Sequence, residues 1–288
     1  AGGLYLTDDP NEPAKWQIPA DDPAVTTIAP GGYLLIWADG ETEVEGLHAA
    51  FKLDAAGEGL CLFDSDGATL IDSVTFPQLP RDLSYGRWPD AGDQWQFFVT
   101  ATPGAANQEG YAGLVGEIEF SHEHGFYSEP FSLTLANETP EATIYYTLDG
   151  ELPGQAQART VSGTIYTGPI QIAKTTCLRA VALRKGWKSS AVYTRTFLFV
   201  NDVIAQSPTG SKPGASWPDP KTSGGGFPWG GWSGGGQVID YGMDPDVVND
   251  ARYKGLVDDA LLAIPSISLV TPLANLFNAS TGIYVNAL

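Results

Sequence analysis

Short apolar runs broken by Gly, Pro, Asn and Asp dominate the chain, the pattern of many brief strands joined by tight turns. Within residues 1–107, Tyr33 to Trp37 is a continuous apolar run after Pro30-Gly31-Gly32, which predicts a strand buried on both faces. Phe51-Lys52-Leu53-Asp54 alternates strictly and predicts a half-buried strand. Leu60 to Phe63 and Thr69 to Val74 flank Asp64-Ser65-Asp66-Gly67, a hairpin signal. Trp95-Gln96-Phe97 begins a last strand, closed by Thr102-Pro103-Gly104.

The next stretch, 108–202, repeats the style. Phe131, Leu133 and Leu135 alternate with Ser132, Thr134 and Ala136, giving one buried and one wet face. Thr143 to Thr147 is a β-branched and aromatic strand ending in Leu148-Asp149-Gly150. Thr176 to Leu183 and Ala191 to Val200 are two more, joined through Lys185-Gly186-Trp187. Residues 203–240 change character: the glycine tract around Phe227, Trp229 and Trp232 reads as a Gly/Pro/Trp-rich linker. In 241–288, Asp244-Pro245 is a helix-start signal, and Leu256, Ala260, Leu261 and Ile264 mark a short apolar stripe stopped by Pro265. The expected architecture is all-β: two consecutive sandwiches, the linker, and a short, partly helical C-terminal segment.

Charge narrows the partners. Residues 1–110 carry 18 acidic and 4 basic side chains, whereas 111–202 stand at −2 and 203–288 at −3, of a total of −19. Such a surface repels phosphate backbones and anionic lipid, so neither nucleic acid nor a membrane is an expected partner. No apolar stretch approaches a membrane span. Cys61 and Cys177 fall in different expected domains and each sits in an apolar run, so both read as small buried hydrophobes rather than a disulfide. The opening Gly3-Leu4-Tyr5-Leu6 reads as mid-domain strand, and the expectation is a segment of a longer reading frame.

Three resemblances follow from specific blocks. Gly32 to Asp39, Phe51-Lys52-Leu53, Gly57-Glu58 to Asp64, Ile71-Asp72-Ser73-Val74, Ser84-Tyr85-Gly86-Arg87 and Thr102 to Asn107 resemble, in order, a bacterial lamin-tail domain. That resemblance implies an immunoglobulin-like sandwich, an accessory role in secreted proteins, and a missing first strand, hence an exposed sheet edge at the N-terminus. Gly125-Phe126-Tyr127, Tyr145 to Gly150, Tyr166 to Ile170 and Leu178 to Ala182 resemble the chitobiase/β-hexosaminidase C-terminal module, which implies a fibronectin-III-like sandwich with an accessory role. Tyr241 to Pro245, Ala260 to Val270 and Leu276 to Asn286 resemble the opening of a CotH-type domain, a family that includes spore-coat proteins with atypical kinase activity. Together they imply a non-catalytic structural or adhesive scaffold, extracellular or on a cell surface, preceding a CotH-like domain. A carbohydrate-binding accessory module of a secreted enzyme is the alternative. Expected partners are a surface or extracellular polysaccharide or protein, and the downstream domain.

Candidate chemistry is sparse. His122-Glu123-His124 has the spacing that puts two imidazoles on one strand face, but the sequence names no further zinc ligand, and a solvated strand start is the favoured reading over a metal site. Asp64 and Asp66 open like a calcium loop, yet Gly67 and Thr75 stand at positions four and twelve, where an EF-hand needs Gly at six and Glu at twelve. The hairpin turn accounts for them, leaving weak calcium binding at acidic turns, including Glu41, Glu43 and Glu45, as the alternative. Gly231-Trp232-Ser233-Gly234-Gly235 matches a nucleophile elbow in letters only, without its strand and helix. Trp187, Tyr145, Tyr146 and Trp88 are candidates for a sugar-stacking face, against simple core packing. No phosphate loop, kinase lysine-and-aspartate set or paired-carboxylate cleft can be placed, so no catalytic residue and no cofactor are expected.

Overall fold

The structure, a computed structural model, describes residues 1–154, 156–157, 160–206, 212, 217–218, 241–278 and 280–283. Ser233 and the glycine tract around it lie outside the described residues. The chain divides into two compact units, Ala1–Leu114 and Val115–Leu288. The architecture is all-β and immunoglobulin-like in character, strands in several sheets with few helices. No helix among the described residues is long and apolar enough to cross a membrane.

In the first unit, β1 (Tyr5–Thr7), β2 (Trp16–Gln17), β3 (Gly59–Phe63) and β4 (Leu70–Thr75) form an antiparallel sheet in the order β2-β1-β3-β4, with a one-turn helix α1 (Pro23–Thr26) after β2. A separate hairpin pairs β5 (Ser84–Arg87) with β6 (Trp95–Phe98), Tyr85 opposite Phe97. The predicted hairpin forms: Asp64 N–H donates to the Thr69 carbonyl at 2.8 Å, and Leu60 faces Val74 across β3–β4. Asp66 holds the turn by accepting from the Ala68 and Thr69 N–H groups and from the Thr69 hydroxyl. The core gathers Ile18, Leu47, Phe51, Phe63, Phe76, Phe97 and Phe98.

Three expectations for this unit need correction. Tyr33 to Trp37 is not a buried strand. Its first pairing is at Trp37, bridged to His48, and Tyr33, Leu35 and Trp37 are exposed. Apolar character says that a run wants cover, not which strand supplies it. Phe51 to Asp54 buries Phe51 alone; Lys52 makes an isolated bridge with Asp39 and Leu53 stays exposed. The N-terminal strand is not a sheet edge either, because β1 pairs with β2 on one side and β3 on the other.

The second unit is a two-layer sandwich. β8 (Gly125–Tyr127), β11 (Thr143–Thr147), β14 (Thr164–Ile165), β16 (Thr176–Leu183) and β17 (Tyr193–Phe199) form one sheet in the order β14-β11-β16-β17-β8. The β17–β8 pair is parallel and the other described strand pairs of this sheet are antiparallel. Facing it are the pairs β9 (Phe131–Leu133) with β15 (Ile170–Ile172) and β7 (Glu119–Phe120) with β10 (Leu135–Ala136); β12 (Ala156–Gln157) and β13 (Thr160–Val161) make a small hairpin. Strand alternation puts Leu178, Ala180 and Ala182 of β16 on one face, where they pack with Leu133, Leu135, Ile172 and Phe197 in a dry core. Phe197 and Phe131 meet edge to face at 5.3 Å, a favoured aromatic arrangement.

Beyond β17 the chain continues as α2 (Val200–Ile204), α3 (Pro245–Val248), α4 (Val257–Ala263) and α5 (Leu273–Phe277). Asp244 caps α3 as its sequence predicts, accepting from the Asp246 N–H at 2.9 Å. The predicted stripe of α4 is mostly uncovered: Leu261 is half-buried and Val257 buried, while Leu256, Ala260 and Ile264 are exposed. Ile264 leaves the helix in an extended conformation because Pro265 follows it.

Candidate functional site

The four proposed stacking residues are not brought together. Tyr145 and Tyr146 adjoin on β11 and therefore point to opposite faces. Tyr146 packs against the core beside Ile144, while Tyr145 lies opposite Val181 and Ile165 on the outer side of the sheet. Trp187 also packs against the core, and the Arg184 guanidinium sits 4.0 Å over its ring. Arg184 is held in turn by Glu141 at 3.1 Å. Trp88 belongs to the first unit, half-buried, its N–H donating to the Gln94 carbonyl.

Nor do the four proposed metal ligands converge. His122 stacks on Phe131 at 4.3 Å and shares a 2.9 Å hydrogen bond with the Ser121 hydroxyl. His124 is exposed beside Glu123. Asp64 accepts from Ser65. Asp66 is occupied by Thr69 and Ala68, and these bonds, the Thr69 hydroxyl first, hold its carboxyl below the ordinary aspartate range. Among the described residues no cluster of three or more His, Cys, Asp or Glu could hold a metal ion.

What the second unit does assemble is a cleft that the sequence does not announce. It has a volume of about 170 Å3 and opens on the outer face of β16, between the Asp149–Leu152 turn and the segment from Ser268 to Leu276. Arg179 Nη1 donates to the Gly150 carbonyl at 3.2 Å, while its buried Nε has no hydrogen-bond partner. Trp217 lines the same space and stands edge-on to Phe277 at 5.8 Å. The Ser268 hydroxyl pairs with Thr196 at 2.8 Å, fastening the C-terminal segment across the sheet. Cys177 lines the cleft as a free thiol, and burial pushes its pKa up. A protonated thiol is a poor nucleophile, and the negative charge of Asp149 in the same cleft adds to the rise. Arg179, Asp149 and Glu151 bring charged side chains to the cleft. Its residues come from turns and strands far apart in the chain, so no spacing could have announced them.

The first unit has a more apolar cleft of about 230 Å3, walled by Leu53, Val74, Phe76, Leu79, Tyr85 and Trp95. Tyr85 stacks on Trp95 at 5.5 Å, and Arg87 covers Trp95 at 4.9 Å while binding Asp72. Elsewhere in that unit, Asp39 receives His48 Nδ1 at 2.9 Å and the Glu41 N–H at 3.0 Å. Those two bonds, the Glu41 backbone first, lower its pKa.

Residues 122–194, from the turn before β8 into β17, match the family profile of the Chitobiase/beta-hexosaminidase C-terminal domain. This span fits a carbohydrate-binding or accessory module. No curated protein and no solved structure matches the chain.

Proposed function

We propose that the chain is a non-catalytic structural and adhesive scaffold of a secreted or cell-surface bacterial protein, with a lamin-tail-like first module and a CotH-like domain downstream. The observation that carries this reading is the match of residues 122–194 to an accessory-domain profile, within a unit that closes its own dry core. The blocks from Gly32 to Asn107 and from Tyr241 to Asn286 supply the rest by resemblance. Mechanically, sandwich cores resist unfolding while loops and sheet edges make contacts. A hydrolysis and phosphoryl-transfer screen of the purified chain tests the non-catalytic part: no turnover is expected, and turnover abolished by a single substitution would overturn it.

A second reading, carbohydrate binding by the second unit, is favoured by the cleft beside Arg179 and Trp217. A pull-down panel of chitin, cellulose, peptidoglycan and algal glycans, with and without calcium, separates the two. Retention on one glycan, lost on Arg179→Ala or Tyr145→Ala with the melting temperature unchanged, establishes the binding module. No retention on any glycan leaves the scaffold reading standing.

A further inference from the structure

Residues Tyr33 to Ile36 pair with no strand among the described residues, and their burial alternates as in an extended segment. Just before them, the Gly32 N–H closes a turn on the Ala29 carbonyl. Just after, Trp37 donates to the Leu47 carbonyl at 2.8 Å and accepts from the Ala49 N–H at 2.7 Å. Between those points the backbone N–H and C=O groups make no hydrogen bond among the described residues. Side chains alternate: Leu34 and Ile36 are half-buried, whereas Tyr33, Leu35 and Trp37 are 47%, 46% and 53% exposed. An open row of backbone groups beside an apolar stripe is what an unprotected edge strand offers to another chain.

Charge decides what that chain is. Asp39, Glu41, Glu43 and Glu45 follow the stripe directly, all but Asp39 exposed, and Asp90 accepts a hydrogen bond from the Tyr33 hydroxyl at its other end. Residues 1–110 hold 18 acidic against 4 basic side chains, and two of the four, Lys15 and Arg87, are already paired with Asp8 and Asp72. A second copy of the unit would bring like charge to like charge. We propose that Tyr33 to Trp37 is a docking edge for an extended, cationic polypeptide segment of another protein. The segment adds a strand along residues 33–36, lays its apolar side chains against Tyr33, Leu35 and Trp37, and sets its lysines or arginines toward the Glu41–Glu45 loop. A glycan would use the rings but leave the backbone row unanswered, and Trp37 already has His48 stacked on it at 6.4 Å.

The test is hydrogen–deuterium exchange of the whole chain, read at residues 33–36, with a synthetic peptide of about nine alternating valines and lysines, a typical strand length. At low salt the peptide should slow exchange there by about tenfold or more, an effect that fades as salt screens the charges. Leu35→Asp, at an exposed position, should abolish the slowing while leaving exchange in the β3–β4 hairpin unchanged. A peptide of alternating valine and glutamate should do nothing. No protection by the lysine peptide overturns the proposal, as does equal protection by the glutamate peptide. Protection by a chito-oligosaccharide instead, or protection in the peptide-free protein accompanied by a dimer in sedimentation, would replace it with a glycan face or a self-interface.

Discussion

At Tyr145 and Tyr146 two identical side chains are given different tasks by the period of a strand. Tyr146 faces the core beside Ile144, and Tyr145 faces outward opposite Val181. Replacing Tyr146 with Ala should therefore destabilise the second unit by about 2–4 kcal/mol, whereas Tyr145→Ala should cost under about 1 kcal/mol. Urea unfolding of the two variants measures the difference directly. Asp39 supplies a pH prediction in the first unit. Its carboxyl is held low by the Glu41 N–H and His48, so its contribution to stability is complete above the unfolded aspartate value of about 3.9. That contribution disappears as pH falls through the lower folded-state value. Carbon-13 NMR titration of the Asp39 carboxyl should show a midpoint below the ordinary range, moved upward in His48→Ala but still depressed by the remaining backbone bond.

Among the elements, those whose cover lies close in sequence were readable beforehand. The hairpin around Asp64 to Gly67 pairs β3 with β4 where its turn residues said it would, and the alternation of Phe131, Leu133 and Leu135 gives the buried face it implies. Elements that depend on distant partners were not. The parallel pairing of β17 with β8 joins strands separated by most of the module, and the pairing of β1 with β3 spans about half of the first unit. The Arg179 cleft was hidden for the same reason, since Asp149, Arg179 and Ser268 share no periodicity. One glycine shows how tight the first unit's turns are. Gly57 has φ +101°, and a Cβ there would lie 2.7 Å from the Phe76 carbonyl oxygen, against backbone that cannot step aside. Gly57→Ala should destabilise the first unit by about 1–3 kcal/mol through backbone strain and the clash. Denaturant titration followed at the β3–β4 hairpin by hydrogen exchange checks it.

Across the whole molecule, acidity and covering are distributed unevenly. The excess negative charge is concentrated before residue 111, on a unit that leaves Tyr33, Leu35 and Trp37 exposed, while the accessory-type module downstream is near neutral and well packed. The two compact units, Ala1–Leu114 and Val115–Leu288, should fold as separate modules, each on its own core. Differential scanning calorimetry of the intact chain, compared with Leu133→Ala, tests it most directly. Leu133 is fully buried in the second core, and its truncation should remove about 2–5 kcal/mol. Two cooperative transitions are predicted, with Leu133→Ala lowering one and leaving the other in place. A single transition that shifts as a whole in the variant would contradict the claim.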